Sequence, residues 1–578
     1  MVLPISNQGG FALDPHESKR HPFGARRPSD RTRISAPRGL ETYRGIPAFG
    51  VLQHAAEQLP DHTALIHGRW SCDYAQLNSD AIQFAATLAG LGVRPGDRVG
   101  ILLPNVPEYV VAMNGIWRAG AVAVALSPLM VEEELESLLE HTDCRYLICL
   151  DLLQPLLRAR ANDDRVTLLV SLRDKLPTHQ QFGYWLKLGV QRLRGSAIRG
   201  DYVGDFWTEF ARAEPDWRAP TVDPSSPAFI LATGGTTAAP KAVTLSHENL
   251  VANAWQQLVW INHSFGNDRM LGVLPFFHSY GMSTTLVGGA MLGATTILHH
   301  RFNTKQVLHL IRQHRPTVMH AVPAMLSAMN AQLDQKPCVL DSLKWVISGG
   351  APLEESIAKR FADHSGAQVV EGYGLSEASP VTHVGHLFRE PRYGVIGLPL
   401  PETVCRIVDP DDASIVVADG EVGELLVRGP QVMLGYWNDP ETTAEVIRDG
   451  WLHTGDLALK HGDGNYSIVG RKKDLIITSG FNVNPRDVEE VLRRCEGILD
   501  AAVVGDADDR RGEIVHAHLV LEPGADWDEE SWIQFCRKHL AAHKRPRRFT
   551  HCTTQLPRNF LGKVLRRKLR ELEPEPVD

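Results

Sequence analysis

Short apolar runs alternate with helix-period segments early in the chain, and this alternation constrains the fold more than any other pattern. Buried strands are predicted at residues 97–103, 121–126 and 146–150, with helices at 107–119 and 132–141 between them. Strand–helix–strand alternation at this spacing is typical of a parallel sheet covered by helices. The N-terminal part is therefore predicted to be α/β.

The pattern becomes strand-rich after residue 397. Residues 404–408 and 423–428 alternate polar and apolar side chains with a period of two. The last unit, residues 473–578, is predicted to follow a βααββα order. Since 578 residues exceed what one core usually supports, we expect two domains. These are a large N-terminal domain of helix-covered sheets with a strand-rich subdomain, and a small α+β C-terminal domain.

Composition and charge exclude several classes of protein. Hydrophobic residues make up 43% and charged residues 22% of the chain, as in ordinary globular proteins. The net charge of −8 argues against a nucleic-acid partner. Eight cysteines are scattered without a C-x-x-C pair, so we expect neither a zinc framework nor a disulfide scaffold. Reduced thiols and a cytoplasmic location follow from this.

The sequence offers one candidate for a membrane span, at residues 270–298, which contain no Asp, Glu, Lys or Arg. Pro275, His278 and five glycines interrupt it, which favours buried strands and helices over lipid. Residues 1–45 lack the apolar stretch that a secretory signal requires. We expect them to form a disordered tail rather than a transit peptide.

A basic, aromatic segment breaks the alternation between residues 176 and 205. Its aromatic and aliphatic side chains are interleaved with cationic ones: Phe182, Tyr184, Trp185, Leu186 and Leu188 among Lys187, Arg192, Arg194 and Arg199. A helix of this kind can lie on a membrane surface. It can equally be a surface helix packed on the large domain. The first interpretation predicts peripheral contact with the inner face of the membrane, and both remain open.

A loop rich in threonine and glycine occupies residues 233–241, after the apolar strand at 228–231. Its small residues allow the backbone to approach a polyphosphate, and Thr233, Thr236, Thr237 and Lys241 supply donors. No G-K-[ST] sequence follows, so it is not a Walker loop. Taken alone, the segment is also compatible with a plain turn.

Further motifs follow at residues 276–281 (FFHSYG), 348–353 (SGGAPL), 371–377 (EGYGLSE), 451–456 (WLHTGD), 470–474 (GRKKD), 479–485 (SGFNVNP) and 557–564 (PRNFLGKV). The EGYGLSE motif combines an aromatic face, a hydroxyl and a carboxylate suited to Mg²⁺. In the last motif, Lys563 lies between Gly562 and Val564. The later cations Arg566, Arg567 and Lys568 are predicted to lie on a solvated face.

In this order the motifs resemble those of the adenylate-forming (acyl-activating) enzyme superfamily, from about residue 46 to 570. The phrases at 429–437 and 480–483, and the insert around Trp185, are similar to bacterial long-chain fatty acid–CoA ligases. The resemblance implies an AMP-binding N-terminal domain at 46–472 and a mobile C-terminal domain at 473–578, with a hinge at Lys473. It also implies ATP, Mg²⁺ and coenzyme A.

The resemblance assigns roles to individual residues. Lys563, His278 and Thr237 are implied to be catalytic, and Glu377 to bind the metal. The residues implied to bind nucleotide or coenzyme A are Thr233, Gly234, Gly235, Thr236, Lys241, Gly349, Gly350, Ala351, Pro352, Glu371, Gly372, Tyr373, Gly374, Ser376, Asp456, Arg471, Lys473 and Gly480.

Within that set, Tyr373 is implied to stack on adenine, and Asp456 and Arg471 to hold the ribose. Lys563 is implied to contact the carboxylate and the α-phosphate during adenylation. Gly480 is implied to lie beside the tunnel for the pantetheine arm. The activity implied is fatty acid + ATP + coenzyme A giving acyl-CoA, AMP and pyrophosphate.

Some residues depart from the family pattern or leave alternatives. Ala238 stands where glycine is usual, and Ala242 replaces the glycine after the lysine, so we expect altered loop mobility. His278 offers no counter-ion for a substrate amine, which favours an acid without an α-amino group. The acceptor can also be an acyl carrier protein, and a catalytically silent lipid-binding protein is a third hypothesis. Gly288, Gly289 and Val322 are candidates for lining the acyl pocket.

Overall fold

The computed structural model describes residues 42–157, 165–173, 178–193, 202–213, 217–233, 241–261, 265–558 and 562–571. Nearly all of the tail expected at residues 1–45 lies outside them. The eight cysteines are free thiols, as predicted. In the part of the chain that is described, no helix is long and apolar enough to cross a bilayer.

The described residues contain sixteen α-helical segments. In chain order they are α1 (Ala48–Gln58), α2 (Tyr74–Gly90), α3 (Pro107–Arg118), α4 (Glu132–His141), α5 (Thr178–Leu193), α6 (Phe206–Arg212), α7 (His247–Ile261), α8 (Ser279–Gly281), α9 (Gly288–Met291), α10 (Thr304–His314), α11 (Pro323–Gln335), α12 (Glu355–Ser365), α13 (Pro440–Val446), α14 (Pro485–Leu492), α15 (Glu529–His539) and α16 (Arg566–Arg570).

Twenty-seven strands accompany them in the same described ranges. They are β1 (Thr63–His67), β2 (Trp70–Asp73), β3 (Arg98–Leu102), β4 (Val122–Ala125), β5 (Tyr146–Leu150), β6 (Val166–Val170), β7 (Tyr202–Asp205), β8 (Pro227–Thr233), β9 (Lys241–Ser246), β10 (Arg269–Gly272), β11 (Thr295–Leu298), β12 (Val318–Ala321), β13 (Trp345–Ser348), β14 (Gln368–Gly374), β15 (Val381–Val384), β16 (Leu398–Pro399), β17 (Val404–Val408), β18 (Gly423–Arg428), β19 (Gly435–Tyr436), β20 (Ile447–Arg448), β21 (Trp451–Lys460), β22 (Tyr466–Arg471), β23 (Ile476–Thr478), β24 (Phe481–Val483), β25 (Ile498–Asp508), β26 (Gly512–Leu521) and β27 (Arg548–His551).

Two large sheets form the N-terminal part, as the alternation predicted. One has eight strands in the order β19-β9-β8-β4-β3-β5-β6-β7, and the other has nine in the order β16-β15-β14-β13-β12-β10-β11-β1-β2. Their central strands pair in parallel, for example β3 with β4 and β12 with β13. One hydrophobic core joins both sheets to α1, α2, α3 and α7.

Buried hydrogen bonds tie the two sheets together near the site. Asn105, after β3, donates from Nδ2 to the carbonyl of Leu274 at 2.7 Å and accepts from the backbone N–H of Phe276 at 2.9 Å. Tyr109 of α3 donates to the carbonyl of Phe276 at 2.9 Å. Because a buried backbone group must find a partner, these bonds fix the segment that leads into His278.

A third sheet, with the order β17-β18-β21-β20 and β22 beside β21, is the strand-rich subdomain predicted from the sequence. The C-terminal sheet has the order β24-β23-β26-β25, with β27 beside β26. The predicted βααββα order of the last unit is wrong. Its described elements run β23-β24-α14-β25-β26-α15-β27-α16, because residues 476–483 form a hairpin and no helix lies between α14 and β25.

Candidate active site

A cavity of about 1570 Å³ opens where both large sheets end and the C-terminal segment reaches them. Its walls include residues that follow β13 and β14, which agrees with the rule that ligands bind at the carboxyl ends of parallel strands. Thirteen of the residues to which the resemblance assigns a role line it: Thr233, Lys241, His278, Gly349, Gly350, Gly372, Tyr373, Gly374, Ser376, Glu377, Arg471, Lys473 and Lys563.

Five other residues with an assigned role are described by the structure but are not part of this lining. Asp456 is buried directly behind it, and Glu371 precedes the lining residue Gly372 on β14. Of the described lining, Ala351, Pro352 and Gly480 form no part. The structure does not describe residues Gly234, Gly235, Thr236, Thr237 and Ala238.

The threonine/glycine loop connects two antiparallel strands. Thr233 ends β8 and pairs with Lys241, which begins β9, and the Thr233 hydroxyl donates to the carbonyl of Lys241 at 3.3 Å. Ala242 is a buried strand residue whose carbonyl accepts from the N–H of Trp437 at 2.7 Å. Its methyl group therefore packs in the core, and the effect of Ala242 on loop mobility stays a prediction.

Helix α7 follows this hairpin and is capped by Ser246. The backbone N–H of Asn249 donates to the Ser246 hydroxyl at 3.0 Å, and the N–H of Ser246 donates to the Asn249 side chain at 2.9 Å. This reciprocal arrangement satisfies N–H groups that a helix start leaves without partners.

Glu377 is held at the cavity wall by Tyr436. The Tyr436 hydroxyl donates to Oε1 of Glu377 at 3.0 Å, and burial together with that carboxylate raises the pKa of the phenol. The backbone N–H of Met433 donates to the carbonyl of Glu377 at 2.8 Å. Nζ of Lys241 lies 5.2 Å from the centre of the Tyr436 ring, within cation–π range. Tyr436 thus contacts both the carboxylate of Glu377 and Lys241, the lysine at the end of the threonine/glycine loop.

His278 presents a neutral imidazole to the cavity. Burial lowers its pKa to about 4. Its Nδ1 accepts a hydrogen bond from the N–H of Tyr280 at 3.2 Å, so the ring hydrogen resides on Nε2. The next residue, Ser279, places its hydroxyl 3.1 Å from that of Ser376. The FFHSYG and EGYGLSE motifs therefore meet directly.

A side chain at position 349 would collide with neighbouring groups, a reason for Gly349 that the sequence does not reveal. A Cβ there would lie 3.0 Å from Cε1 of Tyr280 and 3.2 Å from the carbonyl of Gly372. The Tyr280 hydroxyl donates to the carbonyl of Ile347 at 3.0 Å. The space beside Gly349 is therefore filled in part by the Tyr280 ring.

Asp456 and Arg471 are cross-strand neighbours on β21 and β22. Nε of Arg471 lies 2.8 Å from Oδ1 of Asp456, and the Tyr373 hydroxyl donates to Oδ2 at 2.6 Å. Burial and the Asp456 carboxylate raise the pKa of Tyr373, so the phenol remains a donor. Each carboxylate oxygen keeps capacity for a second donor.

Glu371 lies beside Ser348 in the pairing of β14 with β13. Burial raises the pKa of its carboxyl to about 8, and the backbone at Leu353 and the cation of Arg486 only partly oppose this. The Glu371 carboxyl is therefore mainly neutral at neutral pH. A neutral carboxyl can donate as well as accept a hydrogen bond.

Lys563 reaches the cavity from the C-terminal part of the chain. Burial lowers its pKa to about 8, Arg471 and Lys473 act in the same direction, and Asp456 and Asp474 oppose them. Because this ammonium group lies near other cations, binding of an anion beside it is electrostatically favourable. The structure thus brings a cationic side chain from position 563 to the wall that carries Tyr373 and Glu377.

The prediction of a solvated face for Arg566 is wrong. Arg566 donates from Nη2 to Oε1 of Glu489 at 2.6 Å and from Nε to the carbonyl of Val503 at 3.2 Å. A third contact joins its Nη1 to Oδ2 of Asp474 at 3.7 Å. Arg566 therefore fastens the segment carrying Lys563 to α14, to β25 and to the turn that contains Lys473.

Gly480 forms the turn between β23 and β24 together with Ser479. Both have positive φ, 52° for Ser479 and 81° for Gly480, as a two-residue hairpin turn of type I′ requires. A Cβ at Gly480 would contact nothing within 4 Å. Backbone conformation is therefore a sufficient reason for this glycine.

One part of the cavity wall is apolar and comes from α7 and from residues on and around β15. The nitrogen of the Trp260 indole donates to the carbonyl of Gly385 at 3.2 Å, which holds these two elements together. The apolar lining residues are Trp260, Ile261, Val381, Val384, Leu387 and Leu400.

The candidates Gly288, Gly289 and Val322 are absent from the described lining, so that prediction is wrong. A Cβ at Gly289 would lie 2.8 Å from the Thr296 hydroxyl. This glycine therefore serves close packing inside the core, where the carbonyl of Gly289 also accepts from Tyr74 at 3.4 Å.

The donor set suits a magnesium ion bound mainly by substrate. No group of three or more His, Cys, Asp or Glu residues able to hold a metal occurs among the described residues. Mg²⁺ usually binds one or two protein carboxylates and completes its shell with water and phosphate oxygens. Glu377, at the cavity wall, fits that requirement, and an all-protein metal cage does not.

Sequence reasoning missed Tyr436, Arg566 and His320. Tyr436 lies within the segment 429–437 noted in the sequence, but the sequence does not show that its hydroxyl contacts Glu377. His320 lines the cavity, is buried against the Tyr280 ring at 5.6 Å, and has its pKa lowered to about 4 by burial. Nothing in the sequence around His320 distinguishes it from a core histidine.

Comparison with known proteins places the chain in a family. The profile of the AMP-binding enzyme family matches residues 52–437, and that of the AMP-binding enzyme C-terminal domain matches residues 487–563. The chain therefore belongs to the AMP-binding enzyme family, and it is an acid–thiol ligase.

Relatives resemble it over most of its length. The long-chain-fatty-acid–CoA ligase of Bacillus subtilis (strain 168) is 36% identical over 531 residues, covering 91% of this chain and 94% of the relative. A feruloyl-CoA synthase of Amycolatopsis sp is 33% identical over 516 residues, covering 89% and 96%. The o-succinylbenzoate CoA synthetase of Bacillus subtilis, solved with its acyl-adenylate intermediate, superposes with a TM-score of 0.75 at 26% identity, covering 92% of this chain and 99% of that one.

Proposed function

We propose that this protein joins a medium- to long-chain fatty acid to coenzyme A at the expense of ATP, releasing AMP and pyrophosphate. The observation that carries the proposal is that one cavity contains Lys563, the carboxylate of Glu377 and an apolar wall. Its volume of about 1570 Å³ exceeds the ~300–1,000 Å³ of a typical small-molecule site. A nucleotide and an acyl chain together need such space.

The fatty-acid assignment is supported by the chemistry of the lining. The apolar wall formed by α7 and β15 can hold a hydrocarbon chain, and neutral His278 supplies a hydrogen-bond donor but no negative charge for an α-amino group. The relatives include enzymes named for a long-chain fatty acid and for ferulate. Family membership alone therefore does not identify the acid substrate, and the aliphatic lining favours a fatty acid over ferulate.

In the first half-reaction the fatty carboxylate oxygen attacks the α-phosphorus of ATP, the bond from that phosphorus to the bridging oxygen breaks, and pyrophosphate leaves. Both reactants are anionic, so electrostatic repulsion between them makes up much of the activation barrier. Lys563 and Lys241 cancel negative charge as it develops. Mg²⁺ beside Glu377 would add a divalent charge to the phosphates.

For the nucleotide, we assign Tyr373 to the adenine face and the pair of Asp456 and Arg471 to the ribose hydroxyls. The hydrogen bond from Tyr373 to Asp456 supports this, because it sets the two side chains at a fixed relation. Gly349, Gly350, Gly372, Gly374 and Ser376, which line the cavity, are assigned to the remaining wall of this pocket.

In the second half-reaction the thiol of coenzyme A attacks the acyl carbonyl carbon, and AMP leaves. We propose that residues 473–578 rotate about Lys473 relative to residues 46–472, which withdraws Lys563 and turns the Gly480 hairpin toward the acyl-adenylate. The support is that Lys563 is at the cavity in the present arrangement while Gly480 lies outside its lining.

The proposal is tested by incubating the purified protein with ATP, Mg²⁺ and one acid from a series between acetate and oleate, with and without coenzyme A. Formation of AMP and a thioester, identified by mass, is expected to be highest for the longer acids. If AMP forms without a coenzyme A thioester and an added acyl carrier protein becomes acylated instead, the acceptor is the carrier protein and not coenzyme A. The absence of acid-dependent pyrophosphate release would refute the enzymatic assignment.

A further inference from the structure

His320 is a buried polar side chain in the cavity wall that the reaction proposed above does not use. It lies on β12, is 5% exposed and belongs to the cavity lining. Its Nδ1 is enclosed and has no hydrogen-bond partner among the described residues. Burying a polar atom without a partner costs free energy. A leucine would therefore serve the fold better at this position, so the histidine needs a reason outside the fold.

The neighbouring polar side chains have their partners within the protein. The hydroxyl of Tyr280 donates to the carbonyl of Ile347 at 3.0 Å. Gln257, which also lines the cavity, donates from Nε2 to the carbonyl of Asn253 at 3.1 Å. His320 meets the Tyr280 ring edge to face, with the ring centres 5.6 Å apart. That contact requires an aromatic ring but not its nitrogen atoms.

His320 lies beside the apolar part of the cavity wall. It is the register partner of Ile347 in the parallel pairing of β12 with β13, so the two side chains lie on the same face of the sheet. A Cβ added at Gly372 would lie 3.0 Å from Cγ2 of Ile347 and 4.0 Å from Cγ2 of Val384. Ile347 thus adjoins the apolar wall to which Val384 belongs. A hydrocarbon chain on that wall passes near the imidazole of His320.

The ring of His320 offers a hydrogen-bond donor without a charge. Burial lowers its pKa to about 4, so the imidazole is neutral at neutral pH. A neutral imidazole has one N–H donor and one acceptor. Because an enclosed N–H without an acceptor is among the least tolerated polar groups in proteins, we assign the ring hydrogen to Nε2 and the unpaired lone pair to Nδ1. An uncharged N–H in the wall suits an uncharged oxygen acceptor.

We propose that Nε2 of His320 donates a hydrogen bond to a hydroxyl or keto oxygen on the hydrocarbon chain of the acid, so that oxygenated fatty acids are the preferred substrates. The inference rests on the proposed function, because it concerns the acid that is activated. A plain chain would cover the imidazole N–H with hydrocarbon and leave it unpaired, which lowers the affinity for that acid. His320 is thus a specificity-determining residue.

The test compares kcat/KM for decanoate with kcat/KM for its 3-, 5- and 10-hydroxy derivatives, in the presence of ATP, Mg²⁺ and coenzyme A. The wild type should prefer one hydroxy isomer over decanoate by about tenfold or more. His320→Leu should lose this preference while still using decanoate, and His320→Gln, which keeps an N–H donor, should retain much of it. His314→Leu, at a half-buried histidine that ends α10 outside the described lining, is the matched control and should behave as the wild type does.

Binding of unreactive analogues separates this inference from the proposed reaction. Acyl sulfamoyl adenosines made from the same four acids are titrated by calorimetry, and the affinities should follow the same order. If no acid yields AMP but the hydroxy analogue binds more tightly in a manner that depends on His320, the reaction is wrong and the pocket assignment stands. If decanoate reacts and no hydroxy isomer is preferred in either measurement, the proposed function stands and this inference is overturned.

Thermal melting checks the premise that Nδ1 has no partner. His320→Leu removes an unpaired nitrogen and should melt no lower than the wild type. A melting temperature several degrees lower would show that the imidazole is already hydrogen-bonded within the fold and would overturn the inference.

Discussion

The phenolic hydroxyl of Tyr436 donates a 3.0 Å hydrogen bond to Oε1 of Glu377 and thereby fixes the carboxylate at the cavity wall. Tyr436→Phe removes only this donor. Pyrophosphate release should fall by about 10- to 100-fold, the usual effect of losing a group that orients a metal-binding carboxylate. The concentration of Mg²⁺ needed for half-maximal rate should rise.

That Mg²⁺ titration distinguishes orientation from general damage to the fold. Tyr393→Phe serves as control, at a half-buried tyrosine whose ring centre lies 5.8 Å from Nζ of Lys359 on α12, and should titrate as the wild type does. An unchanged Mg²⁺ requirement in Tyr436→Phe would remove Tyr436 from the site.

Lys563→Ala should separate the two half-reactions. Loss of one preorganised charge contact is expected to slow acyl-AMP formation by about 10²–10³, while thioester formation from supplied acyl-AMP stays close to normal. Both steps are followed by mass spectrometry of single-turnover samples. Lys538→Ala, an exposed lysine of α15, is the control, and an equal loss in both steps would contradict the assigned role.

The pH dependence of adenylation should follow Lys563. Burial lowers the pKa of this lysine to about 8, so the ammonium is present below that pH and is lost as the pH rises through it. kcat/KM for ATP reports groups of the free enzyme and should therefore fall above about pH 8. In Lys563→Arg, whose guanidinium stays charged, this decline should vanish; a profile that declines alike in both proteins would point to another group.

Glu371→Gln should make the protein more stable toward alkaline pH. The folded pKa of about 8 lies above the ordinary value of 4.5, so the wild-type carboxyl favours folding below pH 4.5 and loses that contribution as the pH rises to 8. The glutamine variant has no such loss. Between pH 5 and 8 its advantage in free energy of unfolding should grow by at least about 1 kcal/mol, since one pKa unit equals about 1.4 kcal/mol.

Melting temperatures of both proteins across this range measure the effect. Because the carboxyl is mainly neutral at pH 7, the Glu371→Gln variant should also keep its ATP affinity within about threefold. A constant difference in melting temperature from pH 5 to 8 would show that Glu371 ionises normally.

Arg566→Ala should impair adenylation without removing any group from the reaction. Its bonds to Glu489 and Val503 hold the segment of Lys563 in place, so we expect a fall of about tenfold or more in acyl-AMP formation. Arg548→Ala breaks another arginine–carboxylate pair of the C-terminal part, with Asp506, and should leave adenylation unchanged. Equal effects of the two changes would mean that Arg566 acts only on stability.

Much of this architecture follows from local sequence patterns. The strands at 404–408 and 423–428 have the predicted bounds, although burial does not alternate along β18, where residues 423–427 are all buried. The helix at 132–141 likewise matches. The order of elements predicted for the last unit is wrong because the pair Ser479–Gly480 marks a tight hairpin turn between two short strands. From the sequence, this pair is interpreted only as part of a motif.

Contacts between distant segments could not be predicted in the same way. Tyr436 meets Glu377 across 59 positions and Arg566 meets Glu489 across 77, and no periodicity encodes such pairs. The candidates Gly288 and Gly289 failed for a related reason. A glycine in the sequence shows that space was needed, but only the fold shows whether a ligand or a neighbouring side chain such as Thr296 fills it.

The attachment of residue 563 to the C-terminal sheet has a mechanical consequence. Arg558 before it pairs with Asp500, and Arg566 after it donates to Val503, so both flanks are clamped to β25. The hairpin of β23 and β24 lies on the other side of β26. The rotation proposed for residues 473–578 would therefore carry the amine of Lys563 away from the cavity as it brings the hairpin toward it. A compound that holds the C-terminal sheet in either orientation is therefore expected to stop the catalytic cycle between its two chemical steps.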